Sequence, residues 1–103
     1  MHPLISAALP RIEEACKRHG VRALYLFGSA TTGTFDPVRS DFDFIVDFGS
    51  ADLGPWMSAV FEFQRSLQTI LGRPVDVVLA SSLGHSQRGH LIESQKVPVY
   101  AAA

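Results

Sequence analysis

Two aspartates, Asp41 and Asp43, stand two positions apart, with Gly28-Ser29 upstream and a lone acid, Asp76, downstream. Side chains two apart on a strand share a face. Two carboxylates on one face repel each other unless a cation or a donor network compensates. Hard oxygen ligands of this kind suit Mg²⁺, which is commonly held by one or two carboxylates plus substrate phosphates. Taken alone, the pair reads equally well as an edge strand whose charge prevents aggregation. Gly28-Ser29 follows the apolar run Leu24 to Phe27. Backbone amides freed by a turn there carry partial positive charge and can hold phosphate oxygens. Gly28 lets the backbone approach closely, and the Ser29 hydroxyl adds a donor. By itself, a Gly-Ser pair after a strand is usually only a turn. Asp76 interrupts the apolar run Val75 to Leu79. Its carboxylate belongs at the wet end of that strand or in a site. If that strand neighbours the one carrying Asp41, Asp76 joins the same cluster. Three acids beside a phosphate-binding turn fit two-metal phosphoryl chemistry, in which the metals neutralise a triphosphate and activate a hydroxyl.

The elements that must position these residues follow from periodicity. Leu4 to Leu9 is apolar and helical in pattern, and Pro10 suits the first residue of a continuing helix. Ile12, Ala15, Cys16 and His19 then recur at helical spacing, and Gly20 ends the run. Val21 to Phe27 reads as a buried strand. Asp41 to Phe48 alternates strictly, with Asp41, Asp43, Ile45 and Asp47 on one face. A second helix opens at Pro55 and closes at Gly72, with Trp56, Met57, Val60, Phe61, Leu67, Ile70 and Leu71 on one broad face. Phe63 falls off that stripe and is the candidate for a partner surface. Val75 to Leu79 is a β-branched strand. His90 to Gln95 suits a short helix, and Val97 to Tyr100 a short terminal strand. The order predicts an α/β (α+β) domain, a small mixed β-sheet with helices packed on it.

Composition excludes several classes. The chain has 103 residues, enough for one domain spanning 1–103, and a net charge of −1. The hydrophobic fraction of 47% and charged fraction of 18% exclude a disordered chain. A near-neutral balance argues against direct nucleic-acid binding. No apolar run approaches the roughly 20 residues that span a bilayer, and Met1 to Leu4 lacks a signal-peptide start. The lone Cys16 cannot form an internal disulfide, so a reducing cytoplasm is the expected compartment. The charge is nonetheless uneven. Asp36, Asp41, Asp43, Asp47 and Asp52 supply half of the 10 acids, offset locally by Arg39 alone.

Leu26-Phe27-Gly28-Ser29, a gap of 11 residues and then Asp41-Phe42-Asp43-Phe44-Ile45-Val46 resembles the Gly-Ser…Asp-X-Asp signature of the DNA polymerase beta-type nucleotidyltransferase superfamily. At this length the chain most resembles the minimal nucleotidyltransferases, or MNT proteins. The likeness also takes in the leading helix, Val21-Arg22, the strand of Asp76, and the ending Ile92-Glu93 to Val97-Pro98-Val99-Tyr100. It implies a polymerase beta-like fold. It implies that Gly28 and Ser29 contact the β- and γ-phosphates of ATP and that Asp41 and Asp43 bind two Mg²⁺ ions. Asp76 would complete the metal site and help activate the acceptor hydroxyl. The implied activity transfers AMP to a hydroxyl, a tyrosine of a partner HEPN-type toxin, with the chain as its antitoxin. Two departures stand out. The family gap is usually ten residues, and many relatives carry an arginine soon after Gly-Ser, where this chain has Ala30-Thr31-Thr32-Gly33. Arg39 is the candidate replacement for that phosphate-gripping cation.

Two other functions fit parts of the pattern. An antitoxin that neutralises by binding alone fits the missing arginine. A small-molecule nucleotidyltransferase fits the acids, but so short a chain leaves little surface for an acceptor pocket. A hetero-oligomer with the toxin is expected, with a self-dimer as a further association. Asp47 lies about 13 Å beyond Asp43 along an extended strand and reads as a solvated strand end. Asp36 reads as a turn residue beside Pro37. Cys16 reads as a core thiol, and the histidines show no metal-ligand spacing.

Overall fold

A computed structural model describes residues 3–28, 42–49, 54–82 and 96–102. Ile5, Ala8, Ile12, Ala15 and Cys16 are the buried residues of α1 (Pro3–Arg18), spaced to form one stripe of an α-helix. Pro10 lies inside α1 rather than opening a new segment. Its ring removes the hydrogen bond to the Ser6 carbonyl. Both residues are exposed, so water can take that carbonyl. Lys17 and Arg18 occupy the last turn, where positive charge suits the helix dipole.

Four strands follow: β1 (Ala23–Phe27), β2 (Phe42–Asp47), β3 (Val75–Leu79) and β4 (Val97–Ala101). They form one mixed sheet in the order β3-β2-β1-β4. β1 is antiparallel to β2 and β4, and β2 is parallel to β3. The parallel step needs a crossover, which contains α2 (Ser58–Leu71). At the β1–β4 pairing the register slips between Leu24 and Tyr25, leaving Val99 as the extra residue of a bulge.

The two faces of the sheet differ. Leu24, Leu26, Phe42, Phe44, Val46 and Val75 join the buried residues of both helices in one core. Tyr25, Phe27, Asp43, Ile45, Asp47, Asp76 and Val78 alternate with them and so lie on the second face. Ile45, at its centre, is completely buried and stands between Tyr25 and Val78 in register.

α2 corrects the expected apolar stripe. Phe63 is fully buried and Phe61 is 60% exposed, the reverse of the sequence expectation, and Met57 is exposed as well. The cause is plain helical spacing: at about 100° per residue Phe63 falls about 60° from Val60 and about 40° from Leu67, inside the stripe, whereas Phe61 falls about 100° from Val60 on the other side. Pro55–Met57 is a 3₁₀ turn, and Met57 adopts a left-handed conformation with φ 58°. The true stripe is Val60, Phe63 and Leu67. Phe63 packs edge-on against Phe48 and His19, with centroids 6.2 and 5.6 Å away. The side chain of Trp56, the terminal short helix expected over residues 90–95, and Asp36 lie outside the described residues. No described helix is long and apolar enough to cross a membrane.

Candidate functional site

β1 delivers Gly28 to the end of the sheet where β2 and β3 begin. Phe27 is in register with Asp43, and Asp43 with Asp76. Adjacent strands are about 4.8 Å apart, so the two acids stand side by side on the second face. The condition under which Asp76 could meet the other acids is thus met at the level of strand order. Asp43 is half-buried and Asp76 exposed, so the pair spans the boundary between sheet and solvent.

Gly28 fits tightly against this pair. It has φ +79°, and a Cβ built on it would lie 2.6 Å from Asp43 Oδ2. At that distance the Asp43 carboxylate would have to turn away from any side chain placed there. Glycine is therefore needed twice over here, for the left-handed backbone and for the space that the Asp43 carboxylate occupies.

Ser29, Arg39 and Asp41, the other residues expected at the site, lie outside the described residues. Among the described residues, no three metal-ligating side chains come together. The described part of the cluster is the pair Asp43 and Asp76. Its donors are all oxygen, and it lies partly open to solvent, which fits Mg²⁺ better than a softer metal.

Asp47 lies at the far end of β2. Its Oδ1 accepts a hydrogen bond from the Gly49 N–H at 2.7 Å, and its Oδ2 lies 3.9 Å from Arg22 Nε. It closes a turn, as the solvated-end reading expects. Cys16 is fully buried, and burial followed by the Glu13 charge pushes its thiol up to about 12. It is a core thiol, as its place on the buried stripe of α1 expects.

Sequence reasoning passed over Tyr25 and Lys96. Tyr25 sits on the second face beside the acid row, and Lys96 Nζ lies 4.2 Å from the centroid of its ring. A single lysine before a short strand matches no motif. Only the pairing of β4 with β1 brings it to this end of the sheet.

A family profile described as nucleotidyltransferase domain matches residues 9–97. No curated protein matches the chain. Among solved structures, one described as a candidate minimal nucleotidyltransferase is 26% identical, with a TM-score of 0.70 and 90% of each chain covered. A toxin–antitoxin solved with AMP-PNP is 23% identical, with a TM-score of 0.69, covering 91% of this chain and 73% of the other. A complex of a tri-AMPylated Shewanella oneidensis HEPN toxin with its MNT antitoxin is 18% identical, with a TM-score of 0.60, covering 95% and 73%. The two helices on a four-stranded mixed sheet are the polymerase beta-like nucleotidyltransferase fold.

Proposed function

The chain belongs to the nucleotidyltransferase domain family, and from that premise we propose that it transfers AMP from ATP to a tyrosine hydroxyl of a HEPN-type toxin and so acts as its antitoxin. The observation that carries this reading is the register of Asp43 with Asp76 against Gly28. The likeness to a toxin–antitoxin solved with AMP-PNP and to an MNT antitoxin in complex with a tri-AMPylated HEPN toxin supports a toxin as the acceptor.

In this reading Asp43 and Asp76, together with Asp41, would hold two Mg²⁺ ions. The bound metal supplies charge neutralisation for the triphosphate and lowers the pKa of the attacking hydroxyl. The backbone at Gly28 and the Ser29 hydroxyl orient the β- and γ-phosphates, with Arg39 as the cation assigned to them from sequence. The acceptor oxygen bonds to the α-phosphorus as the bond to the β-phosphate bridging oxygen breaks. Pyrophosphate leaves, and the hydroxyl proton passes to a neighbouring carboxylate or water. A metal site on the sheet would bring a polyanion to a chain whose net charge is −1.

The test is transfer of label from α-phosphate-labelled ATP, with Mg²⁺, to the product of the gene neighbouring the one that encodes this chain. Label on that protein, lost with Asp43→Ala plus Asp76→Ala, supports the reading; its absence with the intact chain refutes it. A second reading, neutralisation by binding alone, is favoured by Ala30-Thr31-Thr32 standing where relatives carry arginine. It predicts that Asp43→Ala still neutralises the toxin in cells.

A further inference from the structure

We propose that Lys96 is a phosphate-binding residue of the site, holding the triphosphate from the β4 side of the sheet. The inference rests on the proposed nucleotide reaction and adds to it a residue that no sequence pattern assigns.

Three observations place Lys96. The antiparallel β1–β4 register pairs Leu26 with Val97. One step further sets Lys96 level with Phe27, which is itself level with Asp43 and Asp76. Lys96, Phe27, Asp43 and Asp76 thus form one row across the four strands, at the end where Gly28 lies. Secondly, Lys96 Nζ is over the Tyr25 ring at 4.2 Å, and Tyr25 lies on the same face as Asp43. The ammonium is therefore on the face of the acids and not on the face of the helices. Thirdly, the other described cations are elsewhere. Arg22 lies beside Asp47 at the far end of β2, and Arg73 packs over the Phe42 ring at 5.7 Å, on the helix face. The remaining described cations are on α1 and α2, which pack against that same helix face.

The spacing suits the task. Two strand intervals separate Lys96 from Asp43, about 10 Å between backbones. Phe27 stands between them in the row, so a polyphosphate joining the two would pass over that ring at the Gly28 end of the sheet. One end of such a ligand would meet the metal-binding acids and the other the ammonium, a strong point-charge partner for phosphate. The Tyr25 ring holds the lysine side chain over the site face by a cation–π contact. Lys96 would thereby supply the positive charge that the segment after Gly28-Ser29 lacks.

The experiment is calorimetric titration of the full chain with Mg²⁺–AMP-PNP and, separately, with AMP. Lys96→Met keeps the chain length over the Tyr25 ring and removes the charge. Lys96→Gln is a second neutral variant, and Lys96→Arg restores the charge. We expect both neutral variants to bind AMP-PNP about tenfold more weakly, with AMP affinity changed less than about twofold, and the arginine variant to recover most of the loss. Unchanged AMP-PNP binding by the neutral variants overturns the role of Lys96 while leaving the proposed nucleotide reaction standing. Equal loss for both ligands also overturns it, because that marks a structural role for the Tyr25 contact. Failure of the unaltered chain to bind AMP-PNP overturns the assignment together with the reaction.

Discussion

Asp43 and Asp76 are exact neighbours across the parallel pairing of β2 with β3, one half-buried and the other exposed. A fold that needed only stability would not place two like charges there, since directly opposed like charges weaken a sheet. Uncompensated, such a pairing would cost stability, and a bound cation would offset it.

This relationship predicts opposite effects of one substitution on stability and activity. Asp76→Asn should stabilise the metal-free chain by a few tenths of a kcal/mol to about 1 kcal/mol, raising the melting temperature by a few degrees. Added Mg²⁺ should raise the melting temperature of the unaltered chain and leave that of Asp43→Asn plus Asp76→Asn unchanged. Nucleotidyl transfer should fall at least about a hundredfold in either single variant. Thermal melts with and without Mg²⁺, beside a transfer assay, measure all three. A Mg²⁺-induced rise that persists in the double variant would place the metal elsewhere.

Gly28 and Gly72 make a matched comparison. Both have positive φ, +79° and +68°, but a Cβ on Gly72 meets nothing within 4 Å, whereas one on Gly28 meets Asp43 Oδ2. Gly72→Ala should cost about 1–2 kcal/mol through backbone strain alone and leave transfer activity intact. Gly28→Ala should cost at least as much and also displace the Asp43 carboxylate, cutting activity at least about tenfold. Urea unfolding and initial rates on the two variants separate strain from site geometry.

Phe63 and Phe61 should respond oppositely to truncation. Phe63 is fully buried against Phe48 and His19, so Phe63→Ala should cost about 3–5 kcal/mol. Phe61 is 60% exposed, and Phe61→Ser should change stability by less than about 0.5 kcal/mol. Chemical denaturation of both variants checks the pair.

The same two residues mark where sequence periodicity has to be followed residue by residue. The α1 stripe and the alternation of β2 were readable because each is set by local geometry over an unbroken element. The α2 stripe is local as well, since Val60, Phe63 and Leu67 stand three and four positions apart, and only the inclusion of Phe61 on that face obscures it. Gly28 was legible as a close-approach residue, but what it approaches is Asp43, 15 positions away in sequence. The meeting of Asp43 with Asp76 could be stated only as a condition on strand order, because a parallel pairing is a property of the whole topology. Lys96 was invisible for the same reason: nothing local distinguishes a lysine that faces solvent from one level with a row of acids.

His19 should give the fold a measurable pH dependence. Its Nε2 lies 2.9 Å from Ser66 Oγ, and its ring meets Phe63 edge-on. Burial first, and then the neighbouring Arg18 charge, hold its pKa below the ordinary 6.5, with Glu62 pulling the other way. A histidine shifted down binds its proton more readily in the unfolded chain. Its contribution is therefore complete above about pH 6.5, and stability is lost as the pH falls below that value toward the folded pKa. The urea midpoint should drop between about pH 7.5 and pH 5.5 by more in the unaltered chain than in His19→Gln, which keeps an amide to bond Ser66 but carries no titrating proton. Comparing the two chains at each pH cancels the other histidines and the carboxylates. Parallel curves for the two would show that the α1–α2 contact carries no titration of its own.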